Sequence, residues 1–221
     1  MDYDKIFTNK EFVERAKLAE SKKTLYVMGC FGAPLNAKNK ARYKNNNTYN
    51  KDPKRQAMID AASDDTFGFD CSCLVKGLSW GWNADPTKNY GGANYCSNGV
   101  KDLTIKAMME QSETSTDFSN IEAGEVVALK GYNHVGIYIG DGLVIESTPS
   151  WDNKVQVTRL ANTNNASAEY KNRPARKWDL HGKLPWIEYV KENHTVTIEF
   201  ATSKDAEDAK KGLALLGFKV R

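Results

Sequence analysis

Four short runs rich in Val and Ile, GEVVALK, HVGIYIG, LVIEST and KVQVTRL, follow one another between residues 124 and 160, separated by Gly, Asp and Asn. β-branched segments of this length, punctuated by turn formers, predict an antiparallel meander. The chain before them is patterned differently. Thr8 followed by Glu11 forms a capping box, and Phe12, Ala16 and Ala19 then recur at helical spacing. Asp70 precedes a second helical pattern with Leu74, Val75 and Leu78 on the face of Cys71, and Leu103, Ile105, Ala107 and Met108 predict a helix near residues 101–111. Helices first and strands second predict an α+β fold, with the helices packed on one face of the sheet.

The remaining segments carry weaker signals. TLYVMGCFGAPL, broken by Gly29, Gly32 and Pro34, predicts a tight, partly buried turn region. Residues 36–55, rich in Asn and Lys, predict a solvated loop with one broken helix, or a flap that touches substrate; residues 56–62 are weakly helical. Gly, Asn and aromatics crowd residues 80–99, an ordered loop in which Trp80 and Trp82 pack over the main helix or line a groove. Trp178 and Trp186 close the domain, and His181 between them is expected at the surface. Composition shifts near residue 190, which sets a main domain at 1–190. Residues 191–221 (HTVTIEF, a helix introduced by Thr202 and Asp205, then GFKV) predict a small β-α-β unit. So short a piece buries little core alone, so it docks on the main domain, pairs with a second copy as a homodimer element, or remains marginal.

A net charge of +3 lacks the basic stripe of a nucleic-acid binder, and no apolar run reaches the roughly 20 residues that span a bilayer. The opening MDYDKIFTNKEF shows no secretory pattern, so synthesis in the cytoplasm with reduced thiols is expected. The cysteines Cys30, Cys71, Cys73 and Cys96 make no C-x-x-C pair, and the histidines lie far apart, so neither a metal nor a cofactor is expected.

The order Cys71, His134, Glu146 suggests a thiol nucleophile, its base and an orienting carboxylate. A helix start favours thiolate over thiol, through its unpaired N–H groups and dipole, and an imidazolium would add to that. Register sets a condition on the pair. A hairpin turning on Asp141-Gly142 alone would point His134 and Glu146 to opposite faces. A three-residue loop Gly140-Asp141-Gly142, or an equivalent bulge, brings Gly136 opposite Glu146 and makes His134 its diagonal neighbour.

FDCSCLV, preceded by YVMGCFGAP and followed by GEVVALKGYNHVGIYIGDGLVIESTPS, resembles the NlpC family of papain-like peptidases that cut bacterial cell-wall peptides, over residues 25–160. The resemblance implies a papain-like fold, with Cys71 as nucleophile, His134 as base and Glu146 in the third polar position, often a second histidine in that family. Tyr26 matches the tyrosine whose hydroxyl reaches the site, and Asp70, Ser72 and Trp82 join it as the expected substrate contacts. Cys30 and Cys73 stand where the family usually has glycine. WGWNAD and the closing GKLPW look like phage or prophage endolysin catalytic domains, which reach the wall without a signal peptide. The implied substrate is the peptidoglycan stem peptide, cut between γ-D-glutamate and the diamino acid, with the muramoyl to L-alanine amide as the alternative. A wall-binding module and an acyltransferase are the competing classes, and residues 191–221 resemble half of a SPOR-type glycan-binding repeat.

Overall fold

The computed structural model describes residues 3–88, 97–163, 165–190 and 203–215, and the chain divides into two compact units, Met1–Val190 and Lys191–Arg221. The first unit opens with β1 (Phe7–Thr8) and α1 (Asn9–Glu20). Thr8 Oγ1 accepts the Glu11 N–H while the Glu11 carboxylate accepts the Thr8 N–H at 2.7 Å, so the capping box satisfies two donors at the helix start. Phe12, Ala16 and Ala19 face inward and are fully buried.

A three-stranded sheet follows, built from β2 (Thr24–Tyr26), β3 (Phe31–Pro34) and, after two helices, β4 (Phe67–Phe69), in the order β2-β4-β3. The TLYVMGCFGAPL segment is thus two strands joined by a turn with Gly29 at φ +76. Residues 36–55 also differ from expectation. They hold α2 (Ala37–Asn46), capped by Asn36, and the start of α3 (Pro53–Ala61), capped by Asp52 with proline in the first turn. The excursion is not merely solvated, because Tyr43, Asn50, Arg55 and Ile59 are buried beneath it.

From β4 the chain enters α4 (Cys71–Ser79) and then the short α5 (Ile105–Glu110), which starts four residues later than the apolar pattern suggests because Thr104 caps it. The second half forms a seven-stranded sheet from β5 (Glu113–Ser115), β6 (Val126–Ala128), β7 (Val135–Gly140), β8 (Leu143–Ser147), β9 (Val155–Leu160), β10 (Ala175–Arg176) and β11 (Leu180–Lys183), in the order β10-β9-β8-β7-β6-β11-β5. The run β6 to β9 is the expected antiparallel meander, whereas β10 joins β9 in parallel. A short β12 (Ile187–Glu188) pairs with β1.

Alternation along these strands divides the sheet into two faces. Val126, Val135, Ile137, Ile145 and Val155 pack with residues of α1, α4 and α5 in the main core. Val127, Tyr138, Val144 and Leu160 face the other way and are covered by Trp178 and Phe118. This is a mixed α+β fold with helices against a mostly antiparallel sheet. In the second unit the described element is α6 (Ser203–Leu215); the strands expected around it, like Cys96, lie outside the described residues.

Candidate active site

β4 delivers the chain directly into α4, and Asp70 sits at the junction. Its carboxylate accepts the Cys73 N–H at 2.7 Å and the Ser72 hydroxyl at 3.1 Å on one oxygen, and the Gly29 N–H at 2.7 Å on the other. The cap therefore holds the first turn of α4 against the β2–β3 turn. Cys71, the first helical residue, is 8% exposed, and backbone N–H groups of Ser72, Val135 and Cys71 itself converge on its sulfur. Val135 directly follows His134, so the Cys71 sulfur lies at the mouth of β7.

Burial pushes the Cys71 thiol up to about 12, with the Asp70 charge adding to the rise, against the backbone N–H groups that pull it down. The expectation of a standing thiolate is corrected by this. A helix start supplies only partial charge, and desolvation of an anion at this depth outweighs it. Cys71 therefore rests as a thiol, and acting as a nucleophile would require a base at the moment of attack.

The hairpin meets the register condition through a bulge. Asp141-Gly142 forms a two-residue turn at φ +51 and +69, with Gly140 pairing Leu143. The ladder then slips by one residue around Ile139 before Tyr138 meets Val144 and Ile137 meets Ile145. Continuing that register sets Gly136 opposite Glu146, and the imidazole of His134 reaches the carboxylate: Nε2 lies 2.5 Å from Glu146 Oε2. The paired nitrogen is Nε2. With Nε2–H donated to Glu146, Nδ1 is the nitrogen left to accept a proton.

Glu146 is fully buried and saturated with donors. Besides His134 it accepts the Thr158 hydroxyl at 2.7 Å and both contacts of Arg176 Nε, at 3.1 and 3.0 Å. Burial works to raise this carboxyl, but the hydrogen bonds and charges of His134 and Arg176 outweigh it and hold Glu146 below its ordinary value. The imidazole stacks on Trp178, with centroids 5.4 Å apart and planes 12° from parallel. Trp178 comes that close because Gly136 lies beneath it: a Cβ there would stand 3.2 Å from the indole and 2.6 Å from Val144 Cγ1.

Arg176, Thr158 and Trp178 were not among the residues singled out as site candidates. Thr158 was legible, since it stands two residues beyond the cross-strand partner of Glu146, on the same face. Arg176 was not, because RPARKWD has no periodicity that fixes where its side chains point.

The four expected substrate contacts fare differently. Tyr26 is nearly buried beside the site; burial raises its phenol well above the ordinary range, and the Cys71 and Asp70 charges add to that. Ser72 is partly exposed next to the nucleophile, bonded to Asp70. Asp70 is buried and its carboxylate is committed to the cap, which makes it structural. Trp82 cannot line a groove. It is 0% exposed, edge-on to Phe67 and Phe69, with Nε1 donating to the Gly32 carbonyl at 2.9 Å. Cys30 and Cys73 are sealed in the interior, where burial raises both thiols.

His181 is also not a surface residue. It is 4% exposed, with Nδ1 paired to the buried Glu125 carboxylate and Nε2 to the Asp117 carbonyl at 3.0 Å, on strand β11. Among the described residues no cluster of three or more His, Cys, Asp or Glu is arranged to hold a metal ion, and no helix is long and apolar enough to cross a membrane.

The sequence model of the NlpC/P60 family matches residues 51–168, more than half of the 221-residue chain, and that stretch contains Cys71, His134 and Glu146. The chain belongs to the NlpC/P60 family. No curated protein matches the chain. Among solved structures it is similar to the peptidoglycan hydrolase RipB from Mycobacterium tuberculosis, at 15% identity and TM-score 0.46, over 82% of this chain and 65% of that one. It thus spans just under two thirds of the RipB chain. The P60 domain of an antigen from M. avium subspecies paratuberculosis is similar at 14% identity and TM-score 0.45, over 82% of this chain and 96% of that one. NlpC1 from Trichomonas vaginalis follows at 14% identity and TM-score 0.37, over 83% and 48%.

Proposed function

We propose that this NlpC/P60 protein hydrolyses amide bonds in peptidoglycan stem peptides through a Cys71–His134–Glu146 acyl-enzyme mechanism. The observation that carries the reading is the buried Glu146–His134 hydrogen bond at the mouth of β7, where the Cys71 sulfur also sits. Sulfur attacks the carbonyl as its proton passes to His134 Nδ1, and Glu146 steadies the imidazolium that forms. The oxyanion is held by the Cys71 and Ser72 N–H groups, which have no intrahelical partner at the helix start. His134 then protonates the departing amine, and water, deprotonated by the same ring, releases the acyl group and restores the thiol.

The favoured bond is that between γ-D-glutamate and the diamino acid, and the favoured role is endolysin-like; both rest on the motif resemblance. Residues 1–190 act as the catalytic domain, with residues 191–221 as a wall-binding or self-associating element. Mass analysis of digested peptidoglycan, with the enzyme and with Cys71→Ala, tests the reading. New free amines that vanish in Cys71→Ala support hydrolysis, and the stem fragment released names the bond. New cross-links indicate acyl transfer, and unaltered wall with retained binding indicates a module. Light scattering and wall sedimentation after removal of residues 191–221 test the second unit; unaltered mass and affinity would remove both of its roles.

A further inference from the structure

Glu146 carries a full negative charge at 0% exposure, and His134 balances it only when protonated. A lone buried carboxylate beside an imidazole favours the imidazolium, the form that cannot take a proton from Cys71. Arg176 changes that balance. Its Nε donates to both oxygens of Glu146, and its guanidinium lies 4.8 Å from the Trp151 ring centroid and 5.6 Å from that of Trp178. Trp178 in turn stacks on His134, so the imidazole, an indole, the guanidinium and a second indole form one column beside the carboxylate.

The column is rigidly mounted on backbone. The Arg176 carbonyl accepts the Ala161 N–H at 2.9 Å, and Asn162 exchanges two 2.8 Å hydrogen bonds with the Trp178 backbone. Cation–π contact on both indoles helps keep the guanidinium in its slot, and Glu146 is its acidic partner among the described residues.

We propose that Arg176 is a positioning residue: it keeps Glu146 a charge-balanced acceptor that holds the His134 ring between Glu146 and Trp178. The inference rests on Cys71 and His134 being nucleophile and base. The titratable groups facing this centre are His134 and Arg176 on Glu146, and Asp70 and Tyr26 around Cys71. Asp70 is spent on the α4 cap and Tyr26 is protonated throughout the working range; Arg55 lies over the Tyr26 ring and donates to the Tyr26 carbonyl, so Arg176 is the fixed positive charge on Glu146 itself.

The test is the pH dependence of Cys71 alkylation by iodoacetamide, with the rate of Cys71→Ser subtracted, which requires no wall substrate. Arg176→Gln moves the midpoint of the profile upward by about one unit, because an uncompensated carboxylate holds protons on the dyad. Arg176→Lys, which keeps the charge, returns most of that shift. Glu146→Gln alone moves the midpoint downward, and adding Arg176→Gln to it reverses the movement, which keeps the test alive if the single arginine variant folds poorly. A merely structural arginine would lower the melting temperature and leave every midpoint in place, and that result overturns the proposal. If the unaltered enzyme follows the profile of a simple isolated thiol, the dyad and the clamp fall together. A composite parent profile that Arg176→Gln and the double substitution leave in place overturns the clamp alone.

Discussion

Adding one methyl group at Gly136 tests how tightly the column beside Glu146 is built. A Cβ at this position would lie 2.6 Å from Val144 Cγ1 and 3.2 Å from Cη2 and Cζ2 of Trp178, against an ordinary carbon contact of about 3.5–4.0 Å. Val144 is fully buried on a paired strand and stiff at χ1, so it yields little. Trp178 is 1% exposed and held by Asn162 on both sides of its peptide, so the indole must tilt or the sheet must part. Overpacking of this kind costs about 1–3 kcal/mol, which for a unit of this size lowers the melting temperature by roughly 2–12 °C. Activity should fall further than stability. A tilted indole carries the stacked imidazole with it, and a displacement near 1 Å of a catalytic group costs on the order of 100-fold. Differential scanning fluorimetry and the alkylation rate of Cys71, measured on Gly136→Ala at a temperature where both proteins are folded, separate the two effects. A melting temperature within 1 °C of the parent (about 0.3 kcal/mol or less) together with a parental alkylation rate would refute the reasoning.

Three further outcomes follow from the same geometry. Trp82→Ala should destabilise by about 3–5 kcal/mol and leave KM untouched in whatever fraction folds, since the ring packs in the core; a raised KM at parental stability would return it to the substrate groove. Burial lowers the His181 pKa, but hydrogen bonds to Glu125 and to the Asp117 carbonyl overcome it, so the folded value stands above the ordinary one. The resulting stabilisation is complete below about pH 6.5 and is lost as pH rises through the folded value. The gap in melting temperature between the parent and His181→Gln should accordingly narrow from pH 6 to pH 9, and a gap that widens would reverse the sign. Thr158→Val removes one of the donors to Glu146 without altering volume, costing about 1–3 kcal/mol; unchanged thermal unfolding would show that this hydroxyl matters little.

Local rules recovered the pieces whose partners are close in the chain. Thr8 and Glu11 announce α1, and the Val/Ile runs announce β6 to β9. The pairing of His134 with Glu146 was legible because a short hairpin leaves two registers to choose between, and the bulged one brings the groups together. What escaped notice depends on distant contacts. His181 looked like a surface residue because Glu125, its buried partner, joins it only when β11 pairs with β6. Arg176 reaches Glu146 through an edge strand two residues long, too short to show a pattern. Residues 36–55 were a different failure. Asn36 and the pair Asp52-Pro53 are helix-start signals that the Lys and Asn content overshadowed. The thiolate expectation failed on magnitude: a helix terminus offers a fraction of a charge, while burial removes most of the water a sulfur anion would need.

Ser147, one residue past Glu146, donates its hydroxyl to the Phe69 carbonyl at 2.9 Å, two residues before Cys71. That hydroxyl ties β8, in the late half of the polypeptide, to β4, in the early half, beside the start of α4. Cys71 and Glu146 thereby share one mounting although they lie far apart along the chain.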